Sequence, residues 1–384
     1  MNSRKIVLIL VLVMLLPACS GGYSTPEEPD VTDATFYRGT SLYFASYIEN
    51  RGEIVYKENG VAKSPFHSVK DHGGNIVRLM VEPEIYENSY TLGEPPVDYL
   101  SFENMRLDFR KAHKAGLEVF LTIKPEKSVP RCWSNVRENQ TLLGDSLYRW
   151  TYRVLDELGK EGLFPRFVSV GNEINSFFMT DGYDQYAEDM NLYNKVRNVY
   201  FFNRGADAVK AIATKYSKTI PVAAHIFSPE HVRWYMTENS SLNLKADIIA
   251  LSYYYGWHKM GEWNNFKELI TWLKTNYNKD FFLLETAVQW TSDGWSDNHV
   301  NTYHETPSGY VVSPEGQRKY LISLAKELRD AGSLGMIYWG GDWVGCNKVY
   351  IYPDQYGKGS SWENCTFWDL NNNLHVGIDW MKMK

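Results

Sequence analysis

Phe167-Val168-Ser169-Val170-Gly171-Asn172-Glu173-Ile174 is an apolar run of strand length that ends in a glycine, an amide and a carboxylate. A carboxylate placed directly after an apolar run faces a partly dry environment, where it costs free energy unless paired. Phe281-Phe282-Leu283-Leu284-Glu285-Thr286-Ala287 repeats the pattern far down the chain. Either acid alone reads as well as a helix N-terminal residue meeting free backbone amides. Two strand-end acids favour a different reading. Barrels of parallel strands carry their chemistry at the C-terminal ends of the strands. Residues so distant in sequence converge there only if the sheet closes.

Outward from these two stretches, short apolar strands alternate with longer amphipathic segments. Strands are expected at 35–39, 75–80, 118–123, 167–171, 220–224, 248–252, 281–285 and 335–339. Helices are expected between them, at 65–72, 102–115, 146–161, 200–216, 229–237, 266–278 and 314–331. Ser313-Pro314-Glu315 has helix-start chemistry, and Lys114-Ala115-Gly116 has a helix stop. Eight β/α alternations predict an α/β fold, a (β/α)8 TIM barrel in a single domain. A doubly wound open sheet is the alternative. No Gly-rich phosphate loop, GxSxG elbow or HExxH motif is present.

The first residues have a separate meaning. Arg4 and Lys5 precede a short apolar run, 6–16, that is too short to span a bilayer. It ends in Leu16-Pro17-Ala18-Cys19, which resembles a lipobox with Cys19 as the lipidated residue. Residues 1–18 are expected to be a signal peptide, 19–33 a Gly/Ser/Pro-rich tether and 34–384 the catalytic domain. The expected location is that of an exported, membrane-anchored lipoprotein, facing the cell surface or the periplasm. An ordinary secretory signal with a chance Cys is the alternative. Three cysteines remain, Cys132, Cys346 and Cys365, without CxxC spacing, so a zinc site is not expected. Cys346 and Cys365 either pair or stay buried thiols.

Of 384 residues, 44% are hydrophobic, enough for a large core. The net charge of −6, with no basic run, argues against a nucleic-acid partner. The chain holds 13 Trp and 27 Tyr, rings that serve either as core or as platforms for pyranose faces. A retaining glycosidase needs two carboxyl groups about 5–5.5 Å apart, one to protonate the leaving oxygen and one to attack the anomeric carbon.

Gly171-Asn172-Glu173-Ile174-Asn175 and Leu284-Glu285-Thr286-Ala287 resemble the two catalytic motifs of clan A glycoside hydrolases, and of family 53, the endo-β-1,4-galactanases, in particular. Asn75-Ile76-Val77-Arg78-Leu79 is similar to that family's second strand. Leu251-Ser252-Tyr253-Tyr254 with Trp257-His258 is similar to its sixth, and Ser361-Trp362-Glu363-Asn364 with Phe367-Trp368-Asp369 to its closing segment. The resemblance implies Glu173 as acid/base, Glu285 as nucleophile, Asn172 on the sugar 2-OH and Arg78 holding Glu285 ionised. It also implies substrate contacts from His225, Tyr254, Trp257 and Trp339. No cofactor is needed for catalysis. A structural Ca²⁺ is implied at Asp297, His299 and Asn301, with an oxygen from Ser361. A family acid there is Trp295 in this chain, and a solvated polar loop is the alternative. The expected partner is a polysaccharide, with membrane contact only through the lipid, and the expected state is a monomer.

Two strand ends depart from the family. Its Gly-Ala-Asp is Gly39-Thr40-Ser41 here, and its Asp-Phe-His-Tyr-Ser-Asp is Thr122-Ile123-Lys124-Pro125-Glu126-Lys127. Changed hydrogen-bonding partners alter sugar specificity. Lys124 either meets an acidic sugar or pairs with Glu126. Three functions therefore compete: a retaining endo-galactanase, another endo-β-glycanase of the same clan, and a non-catalytic glycan-binding protein.

Overall fold

The computed structural model describes residues 36–52, 54–83, 100–125, 129–175, 178–179, 195–293, 307–345 and 362–383. Eight parallel strands close into a barrel: β1 Tyr37–Ser41, β2 Ile76–Val81, β3 Glu118–Ile123, β4 Phe167–Val170, β5 Val222–Phe227, β6 Ile248–Ser252, β7 Asp280–Glu285 and β8 Gly335–Tyr338. Each strand pairs with its sequence neighbours, and β8 closes onto β1 through Tyr37–Gly335 to Thr40–Tyr338. The TIM barrel is the architecture expected, and the open sheet is excluded.

Helices fill the crossovers: α1 Ala45–Gly52, α2 Pro65–Asp71, α3 Phe102–Lys114, α4 Gln140–Lys160, α5 Lys195–Lys215, α6 Val232–Asn239, α7 Phe266–Tyr277 and α8 Pro314–Asp330. The Ser313 side chain accepts from Gly316 N at 3.0 Å, and Pro314 opens α8 without losing a hydrogen bond. Helix α4 begins six residues before its expected start, because Asn139 caps it by accepting from Leu142 N at 3.0 Å. The helix expected at 229–237 is a 3₁₀ turn, Pro229–His231, followed by α6. Strand β5 runs to Phe227 rather than stopping at Ala224, so His225 lies within it. Helix α1, a hairpin of Lys57–Glu58 with Val61–Ala62 and a 3₁₀ helix at Val376–Lys382 had no sequence signal strong enough to be expected.

The barrel interior is layered. Ile76, Phe120, Phe167, Ala223, Ile248, Ala250, Phe282, Leu284 and Ile337 form one dry cluster, with Tyr37 and Leu334 packed against it. Phe120, Phe167 and Phe282 meet pairwise with centroids 5.2–5.8 Å apart. A second and larger cluster fills the space between strands and helices. Side chains alternate across a strand, so the residue two positions on from each plug residue also faces inward. That step sets the site.

Phe36–Lys384 forms one compact unit. Cys19, Cys346, Ser361, Lys127 and the loop of Asp297, His299 and Asn301 lie outside the described residues. Among the described residues, no helix is long and apolar enough to cross a membrane.

Candidate active site

Two residues beyond Ile76, Phe120, Phe167, Ala223, Ala250 and Ile337 stand Arg78, Thr122, Ser169, His225, Ser252 and Trp339. The apolar plug thus becomes a polar floor in a single step along the strands. Strand β7 needs a further device. Leu251 pairs with Leu283, but Ser252 pairs with Glu285, so one extra residue is inserted at Leu284. This irregularity turns Glu285, instead of Thr286, to the inside.

The segment after β4 is equally constrained. Gly171 has φ +80°, and a Cβ there would come within 2.3 Å of Ile174 and 2.8 Å of Phe178. Glu173 itself sits at φ +51°, a left-handed conformation that costs a non-glycine residue about 1–3 kcal/mol. The neighbouring strand holds it in place. Ile174 N donates to His225 O at 2.9 Å. The Asn175 amide clamps Phe227, accepting from its N at 2.8 Å and donating to its O at 3.2 Å.

Arg78 organises the centre. It is fully buried and donates from Nη1 to Glu285 Oε1, from Nη2 to Asn172 Oδ1 at 2.6 Å and from Nε to Thr122 Oγ1 at 3.0 Å. Burial pushes the Glu285 carboxyl up, but the Arg78 charge, with hydrogen bonds from Arg78 and Tyr254, outweighs burial and holds it below the usual carboxylate range. Tyr254 donates to Glu285 Oε2 at 2.9 Å. Burial first, and then the charges of Glu285 and Glu173, push the Tyr254 phenol well above its ordinary value, so it stays a donor. Ser252 Oγ lies 2.8 Å from Glu173 Oε1 and 3.3 Å from Glu285 Oε2. One ring nitrogen of His225 and one carboxylate oxygen each of Glu173 and Glu285 lie within 4.8 Å of one another. Glu285 is 5% exposed, while Glu173 is half-buried and open toward the strand ends.

Aromatic rings wall one side. Trp339 follows β8 and donates from Nε1 to Tyr43 Oη at 2.6 Å, so its polar edge is satisfied. Its ring meets Trp362 at 4.1 Å, Trp343 at 4.3 Å and Tyr254 at 6.1 Å. Trp257 continues the wall outward at 42% exposure, 5.9 Å from Trp362. His258 sits beneath, its Nδ1 3.0 Å from Ser252 O, in the turn that carries Tyr254.

Glu173, Glu285, Arg78, Asn172, His225 and Tyr254 are thus joined in one network, with Trp339 packed on Tyr254. Trp257 lies at the rim. Lys124 forms an ion pair with Glu82, which is buried just past the end of β2, while Glu126 lies outside the described residues. Sequence reasoning marked Thr122 as a changed strand-end position but gave no role to Ser252, Asn175 or Glu82. For Ser252 the missed signal was the two-residue step from an inward apolar residue.

A closed (β/α)8 barrel with paired carboxylates at two strand ends, a buried arginine between them and a tryptophan wall defines a glycoside hydrolase. The chain belongs to glycosyl hydrolase family 53, whose model matches residues 37–381. It is 30% identical over 362 residues to the arabinogalactan endo-β-1,4-galactanase of Cellvibrio japonicus, with 90% of each chain covered. To the endo-β-1,4-galactanase of Bacillus subtilis it is 26% identical, covering 80% of this chain and 70% of that one. The solved Ignisphaera aggregans GH53 catalytic domain superposes with a TM-score of 0.75 at 26% identity, covering 93% of this chain and 97% of that one.

Proposed function

We propose that this protein is a retaining endo-β-1,4-galactanase acting on galactan or arabinogalactan chains. The observation that carries the reading is the closeness of the Glu173 and Glu285 carboxylates, with oxygens within 4.8 Å. One oxygen of each lying that close suits the about 5–5.5 Å of a retaining pair better than the about 6.5–9.5 Å of an inverting pair, which must hold a water between them. Glu285, kept ionised by Arg78, attacks the anomeric carbon while Glu173 gives its proton to the departing glycosidic oxygen. Glu173 then takes a proton from water as the water's oxygen displaces Glu285. The β-configuration is restored and both groups return to their starting state. The Asn172 amide donates to the sugar 2-OH, and Trp339 packs against the sugar face.

The changed third strand motivates a second reading, another endo-β-glycanase with the same chemistry. Thr122 binds Arg78 and Lys124 binds Glu82, so neither presents the carboxylate or imidazole that the family resemblance implies for these positions. We further assign Asp297, His299 and Asn301 to a calcium loop, Cys19 to a lipid anchor on an exported monomer, and 34–384 to the catalytic domain. Chelation that lowers Tm, and palmitate labelling lost in Cys19→Ala, are the expected results.

The deciding experiment is hydrolysis of a glycan panel by purified residues 34–384: galactan, arabinogalactan, galactomannan, xylan and an acidic pectin, with Glu285→Ala as control. Short galacto-oligomers from galactan, absent in the control, support the proposal. Cleavage of another glycan alone moves the substrate. Binding of galactan without any cleavage leaves a glycan-binding protein instead.

A further inference from the structure

Ser252 is the last residue of β6, fully buried, and its single hydroxyl proton has three neighbours. Its Oγ lies 2.8 Å from Glu173 Oε1, 2.9 Å from His225 Nε2 and 3.3 Å from Glu285 Oε2. One proton serves one of them, so its direction is set from elsewhere.

Arg78 sets it. A guanidinium only donates, so the Asn172 atom 2.6 Å from Nη2 is the amide oxygen. The same oxygen lies 3.1 Å from His225 Nδ1, which must therefore carry hydrogen. Burial, and to a lesser degree the charge of Arg78, pushes the His225 pKa down to about 3 against the opposing pull of Glu285, so the ring is neutral. Its Nε2 is then a bare acceptor and takes the Ser252 proton. The Ser252 oxygen keeps only lone pairs for Glu173, and at 2.8 Å two acceptors repel unless Glu173 brings a proton. The longer approach to Glu285 is left without a proton, and Glu285 is supplied by Arg78 and Tyr254.

We propose that Ser252 is a positioning residue for the acid/base. A one-way chain of donors, anchored by Arg78 on Asn172 and running back through His225 and Ser252, keeps the proton on Glu173. The inference rests on the assignment of Glu173 as acid/base in the proposed galactanase. The groups that face Glu173 are His225 from β5, Tyr254 after β6 and Glu285 from β7, with Arg78 from β2 acting through Asn172. The Glu285 charge also favours a protonated Glu173, but that influence ends once Glu285 is esterified by sugar. The Ser252 chain acts in both half-reactions, and so it also makes the ionised Glu173 a stronger base toward water.

The test compares wild type with Ser252→Ala on galactan and on 2,4-dinitrophenyl β-1,4-galactobioside, whose phenolate leaves without an acid. Losing one hydrogen bond to the protonated form moves the basic limb of the kcat/KM profile on galactan down by about one pH unit. The loss of kcat/KM on galactan is expected to be about 10- to 100-fold, within the range for acid–base groups, and clearly smaller on the aryl substrate. If Ser252→Ala does not fold, Ser252→Thr and Ser252→Cys carry the same test. Threonine keeps the oxygen and retains the wild-type limb, while the weakly accepting thiol shifts it. An unmoved limb with equal losses on both substrates overturns the inference while leaving an active galactanase. A wild type inert on every glycan overturns the functional reading, and this inference with it.

Discussion

The lower and upper halves of the barrel interior are built by the same strands, two residues apart. Below, Ile76, Phe120, Phe167, Ala250 and Ile337 interlock as a dry plug; above, Arg78, Thr122, Ser169, Ser252 and Trp339 occupy the next inward positions. The plug tolerates imprecision in kind, because an apolar residue of similar volume can replace another. The upper layer does not. A buried charge missing its partner costs several kcal/mol, so every member fixes its neighbours. Rigid geometry at the top is bought by polar satisfaction, and stability at the bottom comes from contact area.

That contrast can be broken by mutation. The largest effect belongs to Glu285→Ala, which should lower galactan turnover by about 10⁴-fold or more, because the proposed covalent nucleophile has no substitute. It should also lower Tm, because the buried Arg78 charge loses its partner at a cost of about 3–5 kcal/mol. Steady-state kinetics beside calorimetry measures both, and turnover within tenfold of wild type would remove Glu285 from the chemistry.

Arg78→Met should strike both properties. It strands Glu285 unpaired and costs about 3–5 kcal/mol in a chemical-denaturation series. Its pH signature has a definite sign. In the wild type the folded Glu285 pKa is depressed, so its contribution to stability is present above the unfolded value near 4.5 and is lost as pH falls through the folded value. In Arg78→Met the Tyr254 hydrogen bond is left to oppose burial without the Arg78 charge, and the acid-side loss from this group should shrink.

Phe120→Ala sharpens the contrast from below. It should cost about 3–5 kcal/mol of stability and leave kcat per folded molecule near wild type. A kcat loss above tenfold would show that the plug sets the site geometry more tightly than the layering implies.

Lys124→Ala is the smallest expected change. The Lys124 side chain is 21% exposed and its partner Glu82 is 7% exposed, so the loss should be about 1–3 kcal/mol, with KM for galactan changing more than kcat. An unchanged KM would place Lys124 outside the sugar path.

The barrel was legible because eight apolar runs alternate with amphipathic helices, and the acids at 173 and 285 stand at strand ends. What escaped was set by tertiary context. The extra residue at Leu284 leaves no mark in Leu283-Leu284-Glu285, although it aims Glu285 into the site. Ser252 reads as a small strand-end residue until the closed sheet brings it beside β4 and β7. The Lys124–Glu82 pair joins two strand ends whose register the sequence does not state. Asn139 looked like loop, and only its bond to Leu142 N reveals a helix cap.

The central claim is that Glu173 and Glu285 act as a retaining pair on galactan. Proton NMR of the anomeric region in the first minutes of galactan hydrolysis tests it most directly. The account predicts that the β-anomer of the new reducing end appears first and mutarotates to α afterwards. Initial appearance of the α-anomer would contradict it.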